Sequence, residues 1–122
     1  MEWLQITTST ALYRFRTEEI VCVHADGNYS DVFTCSGKPR KLTFKLHQFD
    51  EWFATLQHNT FVRVGRSFIV NKSYVQAINL TENRIILAGG NLKEPMVYGG
   101  FSRESLRQLK NELERKEEKT ND

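Results

Sequence analysis

The sequence predicts a mainly β fold with two helices, on three observations. Apolar and polar residues alternate in short runs along most of the chain. Between those runs stand the turn clusters Asp26-Gly27-Asn28, Ser36-Gly37-Lys38-Pro39, Thr81-Glu82-Asn83 and Gly89-Gly90-Asn91, at the intervals typical of sandwiches and barrels. Only two stretches change to a helical period, one from Leu46 and one after Ser102.

Glu2 to Thr7 and Ala11 to Arg16 alternate as strands across a Thr-Thr-Ser-Thr turn, with Tyr13 and Phe15 facing opposite to Arg14 and Arg16. Ile20 to Ala25 and Tyr29 to Thr34 then form a hairpin over one of the strongest turn signals in the chain, a geometry that pairs Cys22 with about residue 32 or 33. In the return strand Tyr29, Asp31, Phe33 and Cys35 share one side, and Ser30, Val32 and Thr34 the other. The cleanest alternation sets Leu42, Phe44 and Leu46 against Lys41, Thr43 and Lys45, which predicts a strand with a core face and a basic solvent face.

From Leu46 the apolar residues Phe49, Phe53 and Leu56 recur at helical spacing, predicting one short internal helix that ends near Gln57-His58-Asn59. Asp50 and Glu51 are placed near its start, where the helix dipole favours acids. Phe61 to Val64 and Phe68 to Val70 are short strands around a Gly65-Arg66-Ser67 break. Strands at Tyr74 to Leu80, Arg84 to Ala88 and Leu92 to Tyr98 follow, and Pro95 puts the last of them at a sheet edge. The count reaches nine or ten. Gly99-Gly100 ends the β pattern; Ser102 then serves as an N-cap, and Phe101, Leu106, Leu109 and Leu113 stripe a terminal helix. Residues 114–122 are polar or charged throughout and are expected to fray or be disordered, leaving residues 1–113 as a single domain.

Size and composition narrow the function. A chain of 122 residues and 14.3 kDa suits one domain. It has no apolar run near the roughly 18 residues that cross a bilayer. Met1-Glu2-Trp3-Leu4 lacks the basic and apolar regions of a signal peptide, so a cytoplasmic location is expected. Cys22 and Cys35 fit no metal or Cys-x-x-Cys pattern and are expected to be reduced, buried thiols. His24, His47 and His58 accompany no carboxylate or thiol at ligand spacing. No nucleophile elbow, Walker loop, His-Glu-x-x-His or paired-acid arrangement appears, so neither catalysis nor a cofactor is expected.

The formal charge is only +2, but its distribution is uneven. Acids concentrate at Glu18-Glu19, Asp50-Glu51 and along the tail, whereas Phe61 to Val75 carries Arg63, Arg66 and Lys72 with no carboxylate at all. A β scaffold that pushes uncompensated cations out of its joints suits a polyanion.

Two segments carry a family resemblance. Glu-Glu-Ile-Val-Cys-Val-His-Ala-Asp-Gly-Asn-Tyr-Ser at 18–30, followed by Phe-Val-Arg-Val-Gly-Arg-Ser-Phe-Ile-Val-Asn at 61–71, resembles the LytTR (LytR/AlgR-type) DNA-binding domain of bacterial response regulators. The resemblance covers nearly the whole chain. It implies an elongated stack of short antiparallel sheets whose loops enter successive grooves of duplex DNA, commonly as two copies on a repeated site. The chain departs from the pattern at Gly65, where the family usually has His or a similar polar residue. A second departure is Tyr98-Gly99-Gly100-Phe101-Ser102, where Arg103 takes the place of a groove-reading side chain from a shifted position.

The DNA-contact candidates are Asn28, Tyr29, Ser30, Lys45, Arg63, Arg66, Lys72 and Arg103. Arg66, at a turn between two strands, reaches a phosphate or a guanine edge, against the plainer alternative of a surface ion pair. For Arg63 a phosphate contact and a structural ion pair stand equal. Asn71 reads as a turn or cap former. At the glycine turn, Asn28 alternatively serves a left-handed backbone and Tyr29 packs, while Ser30 is best placed to meet DNA. Lys45 ends the basic row of its strand, to contact phosphate or water. Arg103, Arg107 and Lys110 form a basic face on the last helix, flanking DNA or solvated.

The leading reading is a transcription regulator that binds duplex DNA as a dimer or paired monomers, with a receiver or sensor partner and no membrane. The alternative is a β-sheet interaction or signalling module that docks a partner through Leu106, Leu109 and Leu113. RNA binding ranks third, because the exposed aromatics lack the paired spacing that base stacking prefers.

Overall fold

A computed structural model describes the backbone of residues 2–120 and the side chains of residues 2–115. In chain order the strands are β1 (Trp3–Thr7), β2 (Leu12–Arg16), β3 (Ile20–Asp26), β4 (Tyr29–Thr34) and β5 (Arg40–Leu42). Helix α1 (Leu46–Ala54) comes next, then β6 (Phe61–Val64), β7 (Phe68–Asn71), β8 (Val75–Asn79), β9 (Arg84–Leu87), β10 (Met96–Gly99) and helix α2 (Arg103–Thr120). All pairing is antiparallel, in a β1-β2 hairpin, a central sheet ordered β5-β4-β3-β7-β6 and a three-stranded sheet ordered β10-β9-β8. The mainly β stack expected from the sequence is therefore the observed one.

The central sheet is covered on both faces, and its middle strands show it. Ile20, Val21, Cys22 and Val23 of β3 are all buried, as is every residue of β7. Strands with two covered faces read as continuous apolar runs rather than alternations. On one face Leu4 and Ile6 of β1 and Leu46, Phe49 and Phe53 of α1 pack against Ile20, Val23, Val32 and Ile69. Phe53 stacks on Phe61 with ring centroids 3.8 Å apart, tying α1 to β6. On the other face Ile85 and Leu87 of β9 and Leu106 and Leu109 of α2 meet Val21, Val64, Phe68 and Val70. Truncating one fully buried aromatic such as Phe49 should cost about 3–5 kcal/mol.

Several local expectations hold. Cys22 pairs with Phe33 across the β3-β4 hairpin. β10 is an edge strand, beginning one residue after Pro95. Ser102 caps α2, its Oγ accepting from Ser105 N–H at 3.1 Å. Cys22 and Cys35 are both free; Cys22 is buried as expected, whereas Cys35 is only half-buried. Burial pushes the Cys22 thiol up to about 12, a Tyr98 hydroxyl 3.6 Å away partly opposing the rise.

Others are corrected. The strand expected to run through Leu46 stops at Leu42: the chain leaves the sheet so that α1 can start at Leu46, while Phe44 and Leu46 still turn inward. α1 ends at Ala54 rather than near Gln57, and its first turn holds no acid. The last β-strand is confined to Met96–Gly99, leaving Leu92 outside it. α2 is helical through Thr120, past the end of its apolar stripe, with a Lys110–Glu114 pair at helical spacing; the frayed tail expected over residues 114–122 stays an expectation, and residues 121–122 lie outside the described residues.

Candidate nucleic-acid interface

Strand direction sorts the loops of the central sheet between its two ends. β3 runs into the Gly27-Asn28 turn, and His24 pairs with Phe68, the first residue of β7. The Gly65-Arg66-Ser67 turn thus leaves the sheet at the same end, fastened there by Ala25 N–H donating to the Ser67 carbonyl at 2.8 Å. Because the strand order is β4-β3-β7-β6, the two turns stand two strand spacings apart, about 10 Å. β5 also exits at this end, since Leu42 pairs with Ser30, and it delivers Lys45 to the start of α1. α2 begins beside the second turn: Gly65, with φ +70°, brings the position a Cβ would take to 3.4 Å from Ser105 Oγ.

Arg66 is the centre of this surface. It is exposed, and among the described residues it joins no ion pair. It borders a groove of about 370 Å³ between its own turn and the approach to α2, lined also by Ser67, Gly100, Ser102 and Ser105. Arg103, the first residue of α2, is exposed and unpaired within the same described set. The first N–H groups of α2 have no intrahelical acceptor and favour an anion. Glu104 opposes them from the same turn, although Gln108 Nε2 donates to its carboxylate at 3.4 Å. Gly100, at φ +82°, lets the chain bend from β10 into the helix.

Three of the expected contact residues are occupied elsewhere. Arg63 forms an ion pair with Asp50 of α1, and its Nε and Nη2 donate to the carbonyls of Gly65 at 3.0 Å and Arg66 at 2.8 Å. It clamps the turn that presents Arg66, which favours the structural side of its two readings. Lys72 lies 3.6 Å from Glu112 of α2 with only 12% of its side chain exposed, so this cation is compensated. Ser30 is fully buried and donates to the Phe44 carbonyl at 2.7 Å, holding the departing β5 segment to the sheet. It cannot meet a partner from there.

The remaining candidates are exposed at the loop end. Asn28 has an ordinary negative φ; only Gly27, at +63°, is left-handed, the pattern of a type II′ turn. Tyr29 is 45% exposed, with the Lys41 ammonium 5.7 Å from its ring centroid. Lys41 itself is held by Asp26 at 2.7 Å and Asp31 at 3.1 Å. Asp26 is thereby pulled below the usual carboxylate range and Lys41 raised above its own. Lys45 keeps its ammonium exposed, while its backbone N–H donates to Gln48 Oε1 at 2.8 Å.

Asn71 is a cap former, as its position after three apolar residues implies. It is buried, donates to the Ile20 carbonyl at 2.9 Å, and its Oδ1 accepts from Thr60 Oγ1 at 2.8 Å and Ser73 N–H at 3.1 Å. Ser67 and Ser105, whose hydroxyls border the Arg66 groove, were not among the sequence candidates, and Ser102 was read as a helix cap. The Ser102-x-x-Ser105 spacing after two glycines is the signal that marks Ser105. Among the described residues no group of three His, Cys, Asp or Glu side chains gathers to hold a metal, and no helix is long and apolar enough to cross a membrane.

Comparisons with known proteins agree with this geometry. The family model of the LytTr DNA-binding domain matches residues 10–114. Among solved structures, a LytTr DNA-binding domain from Bacillus cereus superposes with a TM-score of 0.61, over 93% of this chain and 97% of that one, at 18% sequence identity. No curated protein matches the chain. With the family model spanning most of the sequence and a solved LytTr domain sharing the fold, the chain belongs to the LytTR family of DNA-binding domains, the DNA-binding parts of transcription regulators.

Proposed function

We propose that this domain grips duplex DNA with the loop end of its central sheet, and that Arg66 is the principal contact. The observation that carries the proposal is the gathering of two turns and a helix start at one sheet end around an exposed arginine with no acidic partner among the described residues. Turns about 10 Å apart suit a major groove about 12 Å wide. Arg66 enters it to meet phosphate or a guanine edge, Arg103 and the first N–H groups of α2 meet the flanking backbone, and Lys45 adds a further phosphate. Asn28 and Tyr29 present polar edges from the neighbouring turn. Arg63 acts through Arg66, by fixing its turn.

In a cell such a domain regulates transcription from the cytoplasm, two copies reading a repeated site under control of a receiver or sensor partner. The interaction-module alternative loses its docking face, because Leu106 and Leu109 are buried in this domain's own core. A mobility shift with random and genomic duplexes across a salt series tests the proposal. Three phosphate contacts, from Arg66, Arg103 and Lys45, predict that log K falls with log salt at a slope of about −3. A chain that shifts no duplex at any salt would overturn it.

A further inference from the structure

The far end of the central sheet carries a second cationic surface that the DNA contacts leave unused. On β1 and β2 the register sets Trp3 opposite Arg16 and Gln5 opposite Arg14, so these side chains share the face turned away from Leu4 and Phe15. Arg14 lies over the Trp3 ring at 4.4 Å and Arg16 at 5.2 Å. Lys38, from the β4-β5 connection, and Arg40, the first residue of β5, close the other side of a groove of about 360 Å³ whose single acid is Glu19. Among the described residues none of these four cations joins an ion pair.

Position and composition together choose the occupant. The groove lies where β3 begins and β4 ends, about 20 Å along the seven-residue β3 from the Gly27 turn, so a straight duplex across the loop end does not reach it. Its floor is not purely electrostatic, since Trp3 is 40% exposed; further along the same hairpin face, outside the groove, Leu12 is 56% exposed. Phosphate backbone needs no apolar contact, whereas Trp and Arg side by side are the anchors that dominate protein interfaces. Stacking on Trp3 also holds two guanidinium groups in place before a partner arrives. We infer that this groove docks an acidic segment of a partner protein carrying an apolar side chain, with carboxylates against Arg14, Arg16, Lys38 and Arg40 and the apolar group against Trp3. A regulator bound to DNA by one end thereby keeps a protein-binding site on the other.

The test titrates the full chain into a fluorescein-labelled peptide alternating Glu with Leu, followed by anisotropy at roughly 50 mM salt, where exposed charges are lightly screened. Saturable one-to-one binding is expected. Arg14→Glu with Arg40→Glu should weaken it at least about tenfold, and Trp3→Ala should weaken it severalfold with no charge altered. Duplex affinity should stay unchanged in both variants. Circular dichroism checks their folding, and Arg14→Gln with Arg40→Gln replaces a charge-reversed variant that fails to fold. Any of four results overturns the inference: no peptide binding; Trp3→Ala binding as well as the parent, which marks unspecific charge attraction; loss of duplex affinity in the groove variants, which assigns the groove to DNA; or a parent dimer that they dissociate, which assigns it to a second copy.

Discussion

Replacing Arg66 with alanine isolates the proposed contact, because the side chain forms no ion pair among the described residues and its removal should leave the fold intact. Two terms set the size of the loss. A lost phosphate contact takes about 0.9 off the salt slope, which corresponds to a factor of roughly three to four in affinity over a fourfold salt range. A bidentate contact to a guanine edge is worth a further 1–3 kcal/mol or so, about fivefold to 150-fold, and only on the correct sequence. On its own site the variant should therefore bind about fifteen to six hundred times more weakly, and on random duplex only a few times more weakly. Fluorescence anisotropy with both duplexes at several salt concentrations separates the two terms. An unchanged site affinity and slope would refute the central role of Arg66. Equal losses on both duplexes would leave it a phosphate ligand and refute its part in base reading.

Arg63→Ala should behave differently. It removes two bonds to the turn carbonyls and the Asp50 pair, costing about 1–2 kcal/mol and lowering Tm by roughly 4–10 °C, with the salt slope unchanged because this cation is already neutralised. Asn71→Ala strands the buried Ile20 carbonyl and frees the turn at Ser73, so urea unfolding should show a loss of about 2–3 kcal/mol. The Cys22 thiol, raised from 9.0 to about 12 by burial, stays protonated through neutral pH, and the native chain should show one slow thiol toward Ellman's reagent at pH 8. The raised value has a stability consequence too: the Cys22 contribution is fully present below pH 9, the unfolded value, and is lost as pH rises toward 12, which Cys22→Ala should remove from an alkaline unfolding series.

What could be read from the chain was what depends on near neighbours. The β3-β4 register follows from its turn, the α1 face from the spacing of Leu46, Phe49 and Phe53, the role of Asn71 from the three apolar residues before it, and that of Ser102 from the helical stripe after it. The site was read less well because charge balance is a property of space. Arg63 and Lys72 look uncompensated in a stretch without acids, yet Asp50 and Glu112 arrive from the two helices, one on each face of the sheet. Ser30 looks like a loop-tip residue, but the Phe44 carbonyl folds back over it once β5 leaves the sheet. The groove at Trp3 is made by residues from three separate segments, at position 3, at 14–19 and at 34–40, none of which draws notice alone.

The central sheet has a consequence for the shape of the target. Its two turns are spaced by backbone hydrogen bonds between β3 and β7, one is clamped by Arg63 and the other closes over a two-residue connection. A ruler of that kind has no slack to follow a stiff or misaligned groove. The double helix has to do the yielding, so base pairs between the contacts, touched by nothing, should influence affinity through how easily they bend and twist.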